Sequence, residues 1–150
     1  MGEVIAVLSG KGGTGKTSLC AGIASAVSEL GARVLCIDCD VGLRNLDIAL
    51  GLGGADALSF LDVCEGGYPL SRALRHPAFE NLRFLTAPVG CSVGKIRTDL
   101  LTGMLAKARG KFEYIFLDAP AGVDAGFRLA AHSADRVLLV TGAEKAAMRD

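Results

Sequence analysis

The sequence has no excess of charge of either sign. Lysine and arginine together number 16, and aspartate and glutamate together also number 16. A surface that binds nucleic acid is usually marked by a basic excess. We therefore expect no nucleic acid or other polyanion among the partners of this chain.

Long hydrophobic runs are also missing. No stretch approaches the roughly 20 apolar residues that are needed to cross a bilayer, so we do not expect an integral membrane protein. Met1-Gly2-Glu3 carries no positively charged segment and leads directly into an apolar run at residues 3–8. This leaves no room for a secretory signal, and we expect a cytoplasmic protein.

The sequence does not predict a disulfide framework or a metal-binding cysteine cluster. The five cysteines are odd in number and scattered, which is typical of reduced thiols packed as small apolar residues. Cys36 and Cys39 form a C-x-x-C, but residues three apart on a strand face opposite sides, and a zinc site needs about two further ligands. We favour packing over metal binding here, and we interpret His76, which precedes Pro77, as a turn residue rather than a ligand.

What is present indicates one globular domain over residues 1–150. A chain of this length with 51% apolar residues can bury about two-thirds of the surface that it exposes when unfolded. Its organising feature is the glycine-rich stretch at residues 10–17, which fits the pattern of a P-loop: a glycine, four residues, then Gly-Lys-Thr. The stretch predicts a nucleotide site.

The context of the stretch agrees with this interpretation. Residues 3–8 read as a strand, and residues 16–30 repeat apolar side chains at helical spacing. Glycines let backbone N–H groups turn toward a phosphate, and the helix N-terminus adds partial positive charge. The residues predicted to bind the nucleotide are Gly10, Lys11, Gly12, Gly13, Thr14, Gly15, Lys16, Thr17 and Ser18, and those predicted to form the apolar face of the helix are Leu19, Ile23, Val27 and Leu30.

Carboxylates follow two further buried strands, predicted at residues 33–38 and 114–118. Asp38 and Asp40 end the first strand and Asp118 ends the second. In a parallel sheet these side chains meet at the carboxyl edge, where open α/β sheets bind ligands. Beside a P-loop, such an aspartate can orient water or hold Mg²⁺, and residues 41–47 read as a loop over the site.

The remaining elements are predicted from periodicity and capping. Two more strands are expected at residues 82–87 and 136–141, the latter at an edge of the sheet. Residues 48–81 are the least regular, with short helices at 57–64, after Asp56 as N-cap, and at 69–75. Further helices are expected after Thr98 as cap, with Leu101, Met104, Leu105 and Ala108 facing the core, at residues 124–134, and at the start of residues 143–150.

Three segments together resemble the ParA/MinD family of deviant Walker A ATPases, and most closely its MinD members, which determine the septum site. The P-loop carries the additional signature lysine of the family at Lys11. Residues 38–47 resemble its switch I segment, and residues 116–122 resemble its Walker B and switch II segments. The resemblance implies an α/β P-loop fold, a mostly parallel sheet flanked by helices on both faces, that is shorter here at its C-terminal end than in the family.

The resemblance also implies a chemistry. Such ATPases bind ATP and Mg²⁺ and dimerise around two nucleotides, with Lys11 of one subunit reaching the phosphates of the other. By the same correspondence Lys16 and Thr17 bind phosphate and Mg²⁺, Asp40 positions the attacking water, and Asp38 and Asp118 serve the metal. The catalytic residues would then be Asp40, Lys11 and Lys16.

Partners follow from the resemblance as well. MinD proteins recruit a division inhibitor and an activating partner, and they associate peripherally with the inner face of the cell membrane through a C-terminal amphipathic helix that this sequence lacks. Other uses of the same fold are a partition ATPase, a flagellar-placement regulator or an iron–sulfur carrier, and a binding-only fragment is a further alternative. Residues 43–47 favour the MinD group, and the lack of paired cluster cysteines weighs against the carrier.

Overall fold

A computed structural model describes residues 1–12 and 14–142, with no account of the Val93 side chain. The helix predicted within residues 143–150 lies outside the described residues. The strands are β1 (Glu3–Leu8), β2 (Val34–Asp38), β3 (Leu74–Arg75), β4 (Leu82–Leu85), β5 (Tyr114–Asp118) and β6 (Arg136–Leu139). The helices are α1 (Lys16–Glu29), α2 (Leu46–Ala49), α3 (Phe60–Cys64), α4 (Thr98–Ala108) and α5 (Ala125–Ser133), with 3₁₀ turns at Leu70–Arg72 and Val93–Lys95.

The described strands form one sheet in the order β3-β4-β2-β5-β1-β6. All neighbours pair in parallel except β3, which runs antiparallel to β4. Helices cover both faces, because α1 and α2 pack on one core and α3, α4 and α5 pack on the other. The predicted fold class is confirmed.

The strand register brings the carboxylates together. Asp38 of β2 lies opposite Asp118 of β5, and Asp118 lies opposite Val7 of β1. Parallel strands point their carboxyl ends to the same edge, so the loop after β1 and both carboxylates share that edge. Every residue of β2 is buried, as the continuous apolar run predicts.

The predicted apolar face of α1 was wrong in part. Small residues of α1 face the sheet, with Cys20, Ala21 and Ala24 buried, whereas Leu19 is 44% exposed and Leu30 is 88% exposed. Small side chains allow the helix to lie close to the strands that flank the P-loop. Helical spacing identified the element correctly, but the largest apolar residues do not mark the buried side.

The irregular segment also departs from its predictions. The N-cap of α3 is Ser59 and not Asp56: the Ser59 hydroxyl accepts the backbone N–H of Asp62 at 3.2 Å, and the Asp62 carboxylate accepts the backbone N–H of Ser59 at 3.4 Å. This reciprocal pair is a capping box. The helix predicted at 69–75 is instead a 3₁₀ turn followed by β3.

The later elements match their predictions more closely. The buried residues of α4 are Leu101, Met104, Leu105 and Ala108, as predicted, although its N-cap is Arg97 and not Thr98. The strand at residues 136–141 is sixth in the chain, ends at Leu139 and forms an edge with Val137, Leu138 and Leu139 exposed. No helix within the described part of the chain has the length and apolar character that crossing a membrane requires.

Candidate nucleotide site

The glycine-rich loop connects β1 to α1 at the carboxyl edge of the sheet. Gly15, directly before the helix, has φ 81°, a left-handed conformation that favours glycine. The Ser9 hydroxyl donates to the Lys11 carbonyl at 3.0 Å, and the backbone N–H of Gly122 donates to the Ser9 carbonyl at 3.1 Å. The loop after β5 is therefore held against the start of the P-loop. Gly13 lies outside the described residues.

The centre of the site is formed by Lys16, Thr17 and Asp118. The Lys16 ammonium contacts Oδ1 of Asp118, and the Thr17 hydroxyl donates to Oδ2 of the same carboxylate at 2.9 Å. Lys16 also lies 3.3 Å from the Thr17 hydroxyl. Lys16 is 7% exposed and Asp118 is fully buried. Burial raises the pKa of Asp118, and the nearby Lys16 ammonium acts in the opposite direction.

Asp38, which was predicted to serve the metal, makes two hydrogen bonds to the backbone of the loop that follows β2. Its Oδ1 accepts the backbone N–H of Asp40 at 2.9 Å, and its Oδ2 accepts the backbone N–H of Leu46 at 3.2 Å. Both oxygens thus hold the loop that follows β2, although the register places Asp38 beside Asp118. Burial raises the pKa of Asp38 to about 7, which its two backbone hydrogen bonds partly oppose.

Asp40 is also nearly buried and contacts the loop that follows it. It is 8% exposed, and its Oδ1 accepts the backbone N–H of Leu43 at 3.1 Å. The next turn is fixed by Arg44, whose backbone has φ 51° and whose Nε donates to the Ala87 carbonyl at 3.0 Å. Sequence reasoning missed this contact, since nothing in the residue pattern pairs Arg44 with the end of β4.

A cleft of about 210 Å³ lies above these groups. Seven of its lining residues were predicted as nucleotide-binding or catalytic residues, and the other four were not predicted as site residues. Gly10 and Lys11 are exposed and do not line it. The lining residues are Ser9, Gly12, Thr14, Gly15, Lys16, Thr17, Ser18, Asp40, Leu43, Asn45 and Ala121.

Two polar atoms in the cleft fit a polar ligand. Thr14 Oγ1 and Asn45 Oδ1 are both buried without a hydrogen-bond partner, and both residues line the cleft. Buried polar groups in folded proteins are nearly always paired. The hydroxyl of Thr17 beside the carboxylate of Asp118 also supplies the oxygen ligands that Mg²⁺ prefers.

Cys36, Cys39 and His76, which were not predicted as ligands, are all buried. Cys36 and Cys39 are buried in the cores on opposite faces of the sheet, as their spacing predicts. His76 is buried, with Nε2 2.7 Å from the Leu50 carbonyl and Nδ1 accepting the backbone N–H groups of Ala78 and Phe79. Among the residues that the structure describes, no group of three or more His, Cys, Asp or Glu side chains could hold a metal ion.

Residues 5–145 match the family model described as "CobQ/CobB/MinD/ParA nucleotide binding domain". The chain belongs to this family. The resemblance found in three short motifs is therefore confirmed, and the match extends to almost the whole sequence. Several of the similar proteins in this family are MinD proteins.

Three such relatives illustrate the similarity. The septum site-determining protein MinD of Thermotoga maritima is 40% identical over 151 residues, covering 100% of this chain and 56% of its own length. The MinC:MinD cell division protein complex of Aquifex aeolicus matches with a TM-score of 0.85 and 37% identity over 98% of this chain and 59% of that one. MinD of Pyrococcus horikoshii, solved with Mg-ADP, matches with a TM-score of 0.83 and 33% identity over 99% of this chain and 61% of that one. The chain thus spans somewhat more than half the length of the relatives that it matches.

Proposed function

We propose that this chain is the nucleotide-binding part of a MinD-type ATPase that binds Mg-ATP, dimerises with its nucleotide and hydrolyses ATP to ADP and phosphate in septum placement. The observation that carries the proposal is the convergence of Lys16, Thr17 and Asp118 beneath the glycine-rich loop. Its support from relatives is the similarity to MinD proteins, one of which was solved with Mg-ADP.

Four side chains in or beside the cleft, and the backbone of the glycine-rich loop, have proposed roles. The ammonium of Lys16 binds the β- and γ-phosphates, and the backbone N–H groups of the loop and the first turn of α1 bind the remaining phosphate oxygens. Thr17 and Asp118 hold Mg²⁺, which when bound offsets the charge on the phosphate oxygens. Asp40, which also lines the cleft, orients the attacking water.

Asp38 is proposed to position the loop that follows β2 and not to contact the phosphates. Its two oxygens fix the backbone at Asp40 and Leu46, so the Asp40 side chain is presented to the cleft in a defined position. Asp38 also remains a proposed Mg²⁺ residue, as the family resemblance implies, because Asp38 and Asp118 are register neighbours.

The partners proposed for the whole protein come from its relatives. One similar structure is a complex of MinD with MinC, and a division inhibitor is accordingly the proposed partner, together with an activating protein. Dimerisation would bring Lys11 of one subunit to the nucleotide of the other. We propose a cytoplasmic protein that binds the inner face of the cell membrane when the C-terminal helix of longer family members is present.

Thermal unfolding with and without nucleotide tests the proposal. Mg-ATP should raise the melting temperature of the parent chain, because a ligand that binds only the folded state stabilises it by about 2.7 kcal/mol at 100 times its Kd. Mg-GTP should raise the melting temperature less, because the proposed function is that of an ATPase. Lys16→Ala should remove the shift. The matched control is Lys95→Ala, an exposed lysine outside the cleft, which should keep it.

Turnover separates the enzyme from a binding-only fragment. The parent should release phosphate from ATP when Mg²⁺ is present and not when it is chelated. A parent chain that shows the thermal shift but no phosphate release would support the binding-only alternative. No shift with either nucleotide would refute the site itself.

A further inference from the structure

A second concave surface lies away from the nucleotide cleft. A groove of about 810 Å³ runs along α4 and faces the segment at and after the end of α3. We call it the α4 groove. Its apolar and aromatic wall residues include Val63, Cys64, Tyr68, Leu70, Leu100 and Met104, and its charged wall residues are Asp99, Lys107 and Lys111.

A glycine in the middle of α4 keeps the groove open. Gly103 lines it, and a Cβ at this position would meet nothing within 4 Å. Glycine inside a helix is less favourable than alanine by roughly 0.5–1 kcal/mol. Packing within the chain therefore does not require glycine here, and the surface of α4 at this position is open to a partner.

Two of the wall residues, Tyr68 and Met104, are of types that are enriched at protein interfaces. Tyr68 is 44% exposed, and the Arg72 guanidinium lies 5.5 Å from the centre of its ring. Tyrosine, methionine and arginine are enriched at such interfaces, where a ring contributes contact area at little cost in conformational entropy. Tyr68 is thus held at the rim of the groove with its ring accessible.

The groove continues into a smaller, positively charged cavity. This basic pocket of about 270 Å³ shares Leu70 and Lys111 with the α4 groove. It contains Arg33, Arg75, Arg83 and Lys111, and Glu80 is its one acidic lining residue among those the structure describes. Arg33 lies 3.6 Å from the Glu113 carboxylate, so the positive charge open to a partner comes mainly from Arg75, Arg83 and Lys111.

Part of the basic pocket is fixed in place before any partner binds. Arg83 Nη1 donates to the carbonyls of Ser71 and Ala73, both at 3.1 Å, which orients the guanidinium. Oriented arginines bind carboxylates with less loss of side-chain freedom. The pocket therefore suits carboxylates presented at the end of an apolar segment.

We propose that the α4 groove and the basic pocket together bind a segment of a partner protein whose large apolar side chains are followed by carboxylates. The formal net charge of the chain is zero, so the positive charge is local, and the adjoining groove is apolar. This combination fits an acidic, amphipathic peptide better than a nucleic acid or a membrane, which require broad positive surfaces.

The proposal is independent of the nucleotide site. Arg33, Asn81 and Phe112 of the basic pocket precede strands β2, β4 and β5, whereas the cleft lies where β1, β2 and β5 end. Failure of one proposal therefore leaves the other unaffected, and nucleotide affinity serves as a check on folding in every variant below.

A phage-displayed library of random peptides, selected on the immobilised parent chain, tests the proposal. The enriched peptides should combine leucine, isoleucine or phenylalanine with aspartate or glutamate. For the best peptide, made synthetically and labelled, Lys111→Glu should weaken binding by about tenfold or more, because it places like charges together. Gly103→Trp should fill the groove and abolish binding.

Two variants control for these effects. Gly103→Ala keeps the groove open and Lys95→Glu reverses an exposed charge elsewhere, so both should bind the peptide like the parent. Enrichment of no peptide, or of peptides without carboxylates, would overturn the proposal, as would equal loss in the controls. Binding of phosphatidylglycerol vesicles or duplex DNA, or self-association, with the same dependence on Lys111 would also overturn it in favour of that partner.

Discussion

The Thr17 hydroxyl donates to Oδ2 of Asp118 at 2.9 Å, although 101 positions separate the two residues in the sequence. The contact forms because β1 and β5 are neighbours, and the P-loop helix starts where both strands end. The other oxygen of Asp118 contacts the Lys16 ammonium. One buried carboxylate thus organises both motif residues that follow the glycine loop.

The first prediction concerns the buried ion pair of Lys16 and Asp118. Asp118→Ala should destabilise the nucleotide-free chain by about 3 kcal/mol or more, because it leaves the Lys16 ammonium buried without its partner. The double variant Lys16→Met, Asp118→Leu should recover much of that loss, since apolar pairs often replace buried ion pairs without cost. Urea unfolding of Lys16→Met, of Asp118→Leu and of the double variant measures the coupling. Additive effects would mean that the pair contributes no mutual stabilisation.

The second prediction concerns pH. The folded-state pKa of Asp38 is about 7, above the value of about 3.9 for an unfolded aspartate. Between these two pKa values the folded state binds more protons than the unfolded state does, so the free energy of unfolding decreases as pH rises. The stabilisation by protonated Asp38 is complete below about pH 4 and lost above about pH 7, and it amounts to at most about 4 kcal/mol.

Chemical unfolding from pH 4 to 8, with a chelator present, measures this slope. Asp38→Asn should make it shallower, because the contribution of Asp38 is gone while that of Asp118, whose pKa is also raised by burial, remains. Asp124→Asn, which removes an exposed carboxylate at the start of α5, is the control and should leave the slope as in the parent. Identical slopes in the parent and Asp38→Asn would show that Asp38 does not titrate in this window.

The third prediction separates two roles of Asp40. Asp40→Asn keeps an oxygen that can accept the Leu43 N–H, so the loop and nucleotide affinity should be retained, while the carboxylate that orients water is lost. Hydrolysis should then slow by roughly 100-fold or more. Asp40→Ala should lose the loop contact as well. Single-turnover rates and binding titrations of both variants provide the test, and a parental rate in Asp40→Asn would exclude Asp40 from the chemistry.

The fold was largely predictable because its strands are short, continuous apolar runs. β1 and β5 have the predicted bounds, and the buried face of α4 matches its apolar spacing. β3 was missed because its two residues are stabilised by pairing with β4, a contact that local propensity does not reveal. The face of α1 was wrong because close packing on the sheet selects small residues over leucine.

The site was predictable where a motif fixes it and not where tertiary contacts do. The P-loop pattern located Lys16 and Thr17, and the ends of two strands located Asp118 and Asp40. The backbone contacts of Asp38 and the contact of Arg44 with Ala87 depend on the path of the loop. No residue pattern specifies such a path.

The fourth prediction compares two glycines. A Cβ at Gly126 would lie 2.3 Å from Cγ and 3.0 Å from Cδ of Pro120, whereas one at Gly103 would meet nothing within 4 Å. Gly126→Ala should therefore destabilise the chain by about 1–3 kcal/mol through overpacking, and it should displace the loop beside the cleft and weaken nucleotide binding. Gly103→Ala should stabilise the chain by about 0.5–1 kcal/mol. Urea unfolding measures both changes in the free energy of unfolding. Changes of the same sign in the two variants would contradict this prediction.

The last prediction concerns Lys11, which differs from Lys16 in its surroundings. Lys16 is 7% exposed against Asp118, whereas Lys11 is exposed and does not line the cleft. If Lys11 acts on the nucleotide of a second subunit, as an arginine supplied in trans does in other NTPases, its charge matters only in the dimer. Lys11→Ala should then bind a non-hydrolysable ATP analogue like the parent but lose dimerisation with that analogue, while Lys16→Ala loses both. Sedimentation of the three proteins with the analogue and Mg²⁺ measures the dimer fraction. Equal dimer fractions in the parent and Lys11→Ala would refute action in trans, and a parent that stays monomeric at saturating analogue would refute a dimer built by this part of the family domain alone.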